Sequence, residues 1–275
     1  MDRHGYPPRL RSPGTAPAIS FILLLALGEL IMSCSTLGAR GDTRHLGFSG
    51  YDWTVVDGNE AIGPGPNRFA SANVSLDQAG RLVLKTGEDD SGWSCAEVFL
   101  DKSLSYGSYE IELLPIIDGL DARTVFGFYT WDESPEFAHR EIDMELARWG
   151  DGSYPNLNFS VQPSEGHPER SAVAEIDLRA PLILRFEWAP TSIHFVALSG
   201  RRRVEWSFPL PSSSDTISSI ASTDAGGEPA ARPPFLVPPD GDEAVSLNLW
   251  IFRGDPADRP ARIVVSRFSF TPLSD

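Results

Sequence analysis

About a dozen short segments rich in Val, Ile, Phe, Tyr and Trp recur along the chain, and they leave little choice of architecture. They run from 51 to 56, 81 to 86, 94 to 100, 106 to 114, 124 to 131, 141 to 148, 156 to 162, 182 to 188, 192 to 198, 204 to 208, 244 to 252 and 262 to 270. Gly, Pro, Asn, Asp and Ser cluster between them, as strands joined by turns require. Several alternate strictly, as in Tyr109-Glu110-Ile111-Glu112-Leu113, so one face meets a core and the other meets solvent or a cleft. No long stretch of helical period follows the first forty residues. The expected fold is all-β, a sandwich of two antiparallel sheets or a jelly roll. The strands are spread evenly without a central linker, which predicts a single domain.

The N-terminus reads as an address. Arg3, Arg9 and Arg11 precede an apolar run from Ala18 to Met32 that Glu29 interrupts, the layout of an export signal. The run falls short of the roughly 20 apolar residues that span a bilayer. Ile31-Met32-Ser33-Cys34 resembles a bacterial lipoprotein box, in which the Cys is acylated. Three routes stay open: lipidation at Cys34, ordinary signal cleavage, or an uncleaved anchor. Each exports the domain, as an envelope lipoprotein or a secreted protein. The expected organisation is a signal segment 1–34, a tether 35–46 and a β-sandwich 47–275. The Ser-, Pro- and Gly-rich segment 209–242 is expected as a long surface loop. Cys95 then has no partner and reads as a buried free thiol.

Charge excludes one class of partner. Lys and Arg number 23 against 38 Asp and Glu, a net charge of −15, the wrong sign for a phosphate backbone. No nucleophile elbow, phosphate loop, dinucleotide fingerprint or His-Glu-x-x-His pattern occurs. No local loop has calcium-ligand spacing, and no metal site or cofactor is predicted. The His residues are scattered, and His139 reads as structural. A monomer is expected, with a membrane contact only through the N-terminal lipid.

One heptapeptide carries chemistry. Arg140-Glu141-Ile142-Asp143-Met144-Glu145-Leu146 places three carboxylates at i, i+2 and i+4, which share one face of a strand, while Ile142, Met144 and Leu146 face the core. Side chains leaning together bring two such carboxyls within the roughly 5 to 5.5 Å used by retaining glycosidases. Crowded like charges then keep one carboxyl protonated to higher pH, as a general acid requires. An acidic edge strand that discourages aggregation shows the same pattern. Aromatic neighbours favour a sugar cleft: Val125-Phe126-Gly127-Phe128-Tyr129-Thr130-Trp131 upstream, and Trp149 and Tyr154 downstream.

With these residues in view, the chain resembles glycoside hydrolase family 16, the laminarinases and lichenases, from Phe48 to Pro272. The likeness extends to Ser105-Tyr106-Gly107-Ser108-Tyr109-Glu110, Asn158-Phe159, Phe186-Glu187-Trp188-Ala189-Pro190, Leu247-Asn248-Leu249-Trp250 and Arg267-Phe268-Ser269-Phe270. The resemblance implies a concanavalin A-like β-jelly roll and an endo-β-glucanase-like glycosidase. It assigns Glu141 as nucleophile, Asp143 as its tuning neighbour and Glu145 as acid/base, with a polysaccharide, most simply a β-glucan, as substrate. Trp131, Trp149, Asn158 and Trp250 are the expected sugar contacts, joined by Arg140 and Arg148, which with Arg253 offer to read an anionic polymer. Members of the family often hold a structural calcium ion. Where they carry a Trp-Pro segment ahead of the catalytic strand, this chain has Trp131-Asp132-Glu133-Ser134-Pro135-Glu136-Phe137-Ala138-His139, so the substrate wall differs. Ala147-Arg148-Trp149-Gly150 and Ser160-Val161-Gln162-Pro163 resemble an exported bacterial branch. A transglycosylase and a noncatalytic carbohydrate-binding protein are the alternatives on the same fold.

Overall fold

A computed structural model describes residues 44–58, 60–209 and 236–274. Its strands in chain order are β1 (His45–Phe48), β2 (Tyr51–Val55), β3 (Val74–Leu76), β4 (Leu82–Lys85), β5 (Gly87–Asp89), β6 (Gly92–Ser94), β7 (Ala96–Leu100), β8 (Gly107–Leu113) and β9 (Thr124–Trp131). They continue with β10 (Ile142–Leu146), β11 (Leu157–Val161), β12 (Ser171–Ala174), β13 (Leu182–Ala189), β14 (Ser192–Ser199), β15 (Arg202–Phe208), β16 (Ala244–Ile251) and β17 (Arg262–Pro272).

Two antiparallel sheets stack. One has eight strands in the order β1-β2-β7-β16-β9-β10-β11-β12, and the other seven in the order β15-β14-β13-β8-β17-β4-β3. In both sheets hairpins of consecutive strands are joined by pairings between strands far apart in sequence, such as β7 with β16, β16 with β9 and β8 with β17, as in a jelly roll. The alternation predicted for 141–146 holds: Ile142, Met144 and Leu146 are fully buried. Register places Val55, Val98, Leu247, Phe128, Met144, Phe159 and Ala172 in one row across the large sheet. That row packs against the second sheet, with the rings of Phe128 and Phe186 5.2 Å apart and those of Phe159 and Phe195 5.3 Å apart. Contacts of this kind join the sheets with both aromatic faces out of water.

Two boundaries differ from the sequence reading. The tether expected to reach residue 46 ends earlier, because His45 and Leu46 pair with Thr54 and Trp53 in β1–β2. The end of the expected surface loop is docked: Val237 is buried in the main core, and the carbonyl of Pro238 accepts a hydrogen bond from Trp188 Nε1 at 3.2 Å. Cys34, the rest of the signal segment and 210–235 lie outside the described residues. Cys95 is a buried free thiol, pushed up to about 12 by burial, and its Sγ donates to Asn67 Oδ1 at 3.3 Å.

Candidate active site

The opposite face of the large sheet carries the three carboxylates, the floor of the candidate cleft, and its composition follows from register. One row reads Phe99, Ser246, Tyr129, Asp143, Ser160 and Ser171. The next reads Glu97, Asn248, Gly127, Glu145, Asn158 and Val173. Glu141 stands just ahead of β10 with extended backbone (φ −81°, ψ 124°) and continues the same face. The structure thus brings Glu141, Asp143 and Glu145 together, with Asp143 buried and the two glutamates half-buried.

Asp143 is the fixed member. Its Oδ2 accepts from Ser160 Oγ at 2.7 Å and from Gln162 Nε2 at 3.0 Å, while Gln162 Oε1 in turn accepts from the backbone N–H and the hydroxyl of Ser164. Burial pushes Asp143 up to about 6, against the pull of these donors. Glu141 is held well above the usual carboxylate range by burial, then by the charges of Asp143 and Glu145, and it shares a hydrogen bond with Asp143. Glu145 is likewise raised by burial and by Asp143. Three carboxyls this close lose their protons in coupled steps, so one of them keeps a proton at pH values where a lone carboxylate has none.

A fourth carboxyl, Glu97, lies three strands away on the same floor, roughly 14 Å at the usual strand spacing. Tyr129 Oη donates to Glu97 Oε1 at 2.5 Å, and Asn248 Nδ2 donates to Tyr129 Oη at 3.3 Å. Burial pushes Glu97 up to about 7. Sequence reasoning missed Glu97, Ser160 and Gln162 as members of the site. The alternation of Ala96-Glu97-Val98 does mark Glu97 as facing away from the core, but only register reveals which residues share its floor.

The expected sugar contacts divide. Trp131 ends β9 on the cleft face and is half-buried, with His139 stacked flat on it. Trp149 is half-buried too, its Nε1 donating to Asn158 Oδ1 at 3.1 Å. Asn158 donates one amide hydrogen to the Ala147 carbonyl at 3.0 Å and so braces Trp149. Trp250 departs from expectation: only 3% exposed, it belongs to a second apolar cluster with Phe69, Cys95, Val125, Ala147, Ile251 and Ala257. The turn around Asn67 is tied to the next residue, as Asn67 Nδ2 donates to the carbonyls of Ile251 and Pro64. Arg140 and Arg148 also depart. Arg140 is buried, its Nη1 2.5 Å from Asp132 Oδ2, and Arg148 pairs with Glu175 at 2.6 Å and the Tyr154 carbonyl. Arg253 is exposed beside the ring of Phe252. Among the described residues no cluster of three or more His, Cys, Asp and Glu is arranged to hold a metal ion.

No family model matches the chain, and no curated protein matches it in sequence. Solved structures do match. A β-glucanase of Bacillus licheniformis superposes with a TM-score of 0.57 at 16% identity, covering 85% of this chain and 99% of that one. A laminarinase from Flavobacterium sp. UMI-01 gives 0.55 at 15% identity over 79% and 92%. A Mycobacterium tuberculosis protein described as a pseudo β-1,3-glucanase gives 0.51 at 18% identity over 80% and 91%. The fold is therefore the laminarinase- and lichenase-like jelly roll of glycoside hydrolase family 16.

Proposed function

We propose that this chain is an exported glycoside hydrolase that cleaves β-glucan with retention of anomeric configuration. The observation that carries the reading is the placement of Glu141, Asp143 and Glu145 on one cleft floor, with Asp143 fixed by Ser160 and Gln162. Ionised Glu141 attacks the anomeric carbon as Glu145 gives its proton to the departing glycosidic oxygen, leaving a glycosyl ester on Glu141. Glu145, now a carboxylate, takes a proton from water, whose oxygen displaces the ester and restores the starting configuration. A sugar hydroxyl in place of water makes the second step a transglycosylation.

The substrate reading favours a neutral polymer. Arg140 and Arg148 are committed to Asp132 and Glu175, and the floor carries carboxyls, which repel sulfate and uronate groups. The β-1,3- and β-1,3-1,4-glucans named for the structural neighbours fit this chemistry. The pseudo β-1,3-glucanase among those neighbours is a reminder that the fold hosts noncatalytic members, and the reading here rests on the carboxylates instead. Reducing-end release from laminarin and mixed-linkage glucan, set beside agar, carrageenan and xyloglucan, tests it. Turnover of a neutral glucan, lost by at least about 100-fold in Glu141→Ala, is the expected result, and release from none of them contradicts it.

Export with lipidation at Cys34 belongs to the same proposal, supported by the arginines, the apolar run and the adjacent Cys. Labelled palmitate should attach to the native chain and not to Cys34→Ala. Equal labelling of both contradicts lipidation.

A further inference from the structure

We propose that His139 is a specificity-determining residue, its Nε2 accepting a hydrogen bond from a hydroxyl of the sugar bound over Glu141, with Trp131 behind it. This rests on the glycanase reading above.

The approach to Glu141 is an unusual piece of backbone. Phe137, Ala138, His139 and Arg140 have φ values of 53°, 50°, 60° and 50°, four consecutive left-handed residues with no Gly, Asn or Asp among them. Each costs about 1–2 kcal/mol, and such a run persists only where its surroundings fix it. They do so here. Asp132 N–H donates to the His139 carbonyl at 2.7 Å, Thr130 Oγ1 donates to the Arg140 carbonyl at 2.7 Å, and the guanidinium of Arg140 lies between Asp132 and the Phe137 ring.

What the turn delivers is the His139 ring, laid on Trp131 with centroids 4.0 Å apart and planes 7° apart. Trp131 lies two residues beyond Tyr129 on the cleft face of β9, at the Glu141 end of the floor. The Asp132 carbonyl is 2.8 Å from His139 Nδ1, and a carbonyl only accepts, so Nδ1 carries the hydrogen. In the neutral ring Nε2 is then an acceptor, and it has no partner among the described residues. A structural histidine needs only the first bond. The half-buried ring instead offers an imidazole acceptor on a floor whose other acceptors are chiefly carboxyls. A site that pairs with a substrate hydroxyl discriminates strongly against sugars lacking it.

The test separates the two nitrogens. Asn at 139 keeps a donor toward Asp132 and tolerates positive φ, but loses the distal acceptor; Gln restores an acceptor near the Nε2 position. All titrations use a Glu141→Gln background, so that laminarihexaose and a mixed-linkage hexasaccharide stay intact in the calorimeter. His139→Asn should weaken binding of the tighter ligand about tenfold and His139→Gln by less than about threefold, with the melting temperature of the Asn variant close to that of its parent. Unchanged binding in the Asn variant, or equal weakening in both, overturns the inference alone. Tight binding by a chain with Glu141 intact that releases no reducing ends overturns the hydrolase reading and leaves His139 standing. No binding of either hexasaccharide by the parent overturns both.

Discussion

Gly127 lies between Asn248 and Glu145 on the cleft floor, and a Cβ at this position would stand 2.5 Å from Asn248 Oδ1. Asn248 is nearly fully buried, and that oxygen has no hydrogen-bond partner among the described residues. The missing side chain is what lets the carboxamide approach the catalytic strand. Gly127→Ala should force Asn248 aside, releasing its bond to Tyr129 and crowding Glu145. The expected cost is about 1–3 kcal/mol, a fall of about 3 to 10 °C in melting temperature, with a loss of turnover larger than the stability change explains. Thermal melts and glucan hydrolysis on the same preparation check both.

The proposed mechanism predicts that Gln162 shifts the acid limb of the pH profile. In the proposed mechanism turnover needs Glu141 ionised, and Glu141 and Asp143 release their protons as a coupled pair. Burial raises both, so activity should rise with pH at values above the ordinary carboxylate range and fall again as Glu145 loses its proton. The Gln162 amide favours ionised Asp143. Gln162→Ala should therefore keep Asp143 protonated to higher pH, relieve its charge on Glu141 and move the acid limb to lower pH, by up to about one pH unit. A profile of kcat/KM against pH that stays in place contradicts the role given to Gln162.

Much of this was legible in the chain, but unevenly. Alternation alone put Ile142, Met144 and Leu146 inside and the three carboxyls on the cleft. The pairing of Asp143 with Ser160 and Gln162 was not legible, because a strand's partners are set by register between distant segments. Arg140 failed as a sugar contact for a backbone reason. Four left-handed residues without Gly or Asn leave no mark in composition, and they turn its side chain inward onto Asp132. Trp250 failed through long-range packing, since Phe69, Cys95 and Val125, which share its apolar cluster, come from more than 120 residues earlier in the chain.

Glu97 predicts a pH-dependent stability. Its carboxyl is raised from 4.5 to about 7 in the folded chain by burial, so between those values the folded state binds the proton that the unfolded state has released. Stability from this group is complete below about pH 4.5 and is lost as pH rises to about 7, by at most about 3 kcal/mol. Glu97→Gln keeps an acceptor for Tyr129 and abolishes the titration. Its melting temperature should exceed that of the native chain at pH 8 and match it near pH 4. Parallel melts at the two pH values decide the matter, and an equal difference at both contradicts the linkage.

The central claim is a glycosyl ester on Glu141 made with the help of Glu145, and chemical rescue tests it most directly. In Glu145→Ala an activated aryl β-glucoside needs little acid assistance to form the ester, whose hydrolysis then lacks its base. Azide should restore turnover, and the product, read by proton NMR, should be the β-glycosyl azide. An α-glycosyl azide, or a Glu145→Ala variant that hydrolyses the glucan at the native rate, would contradict the account.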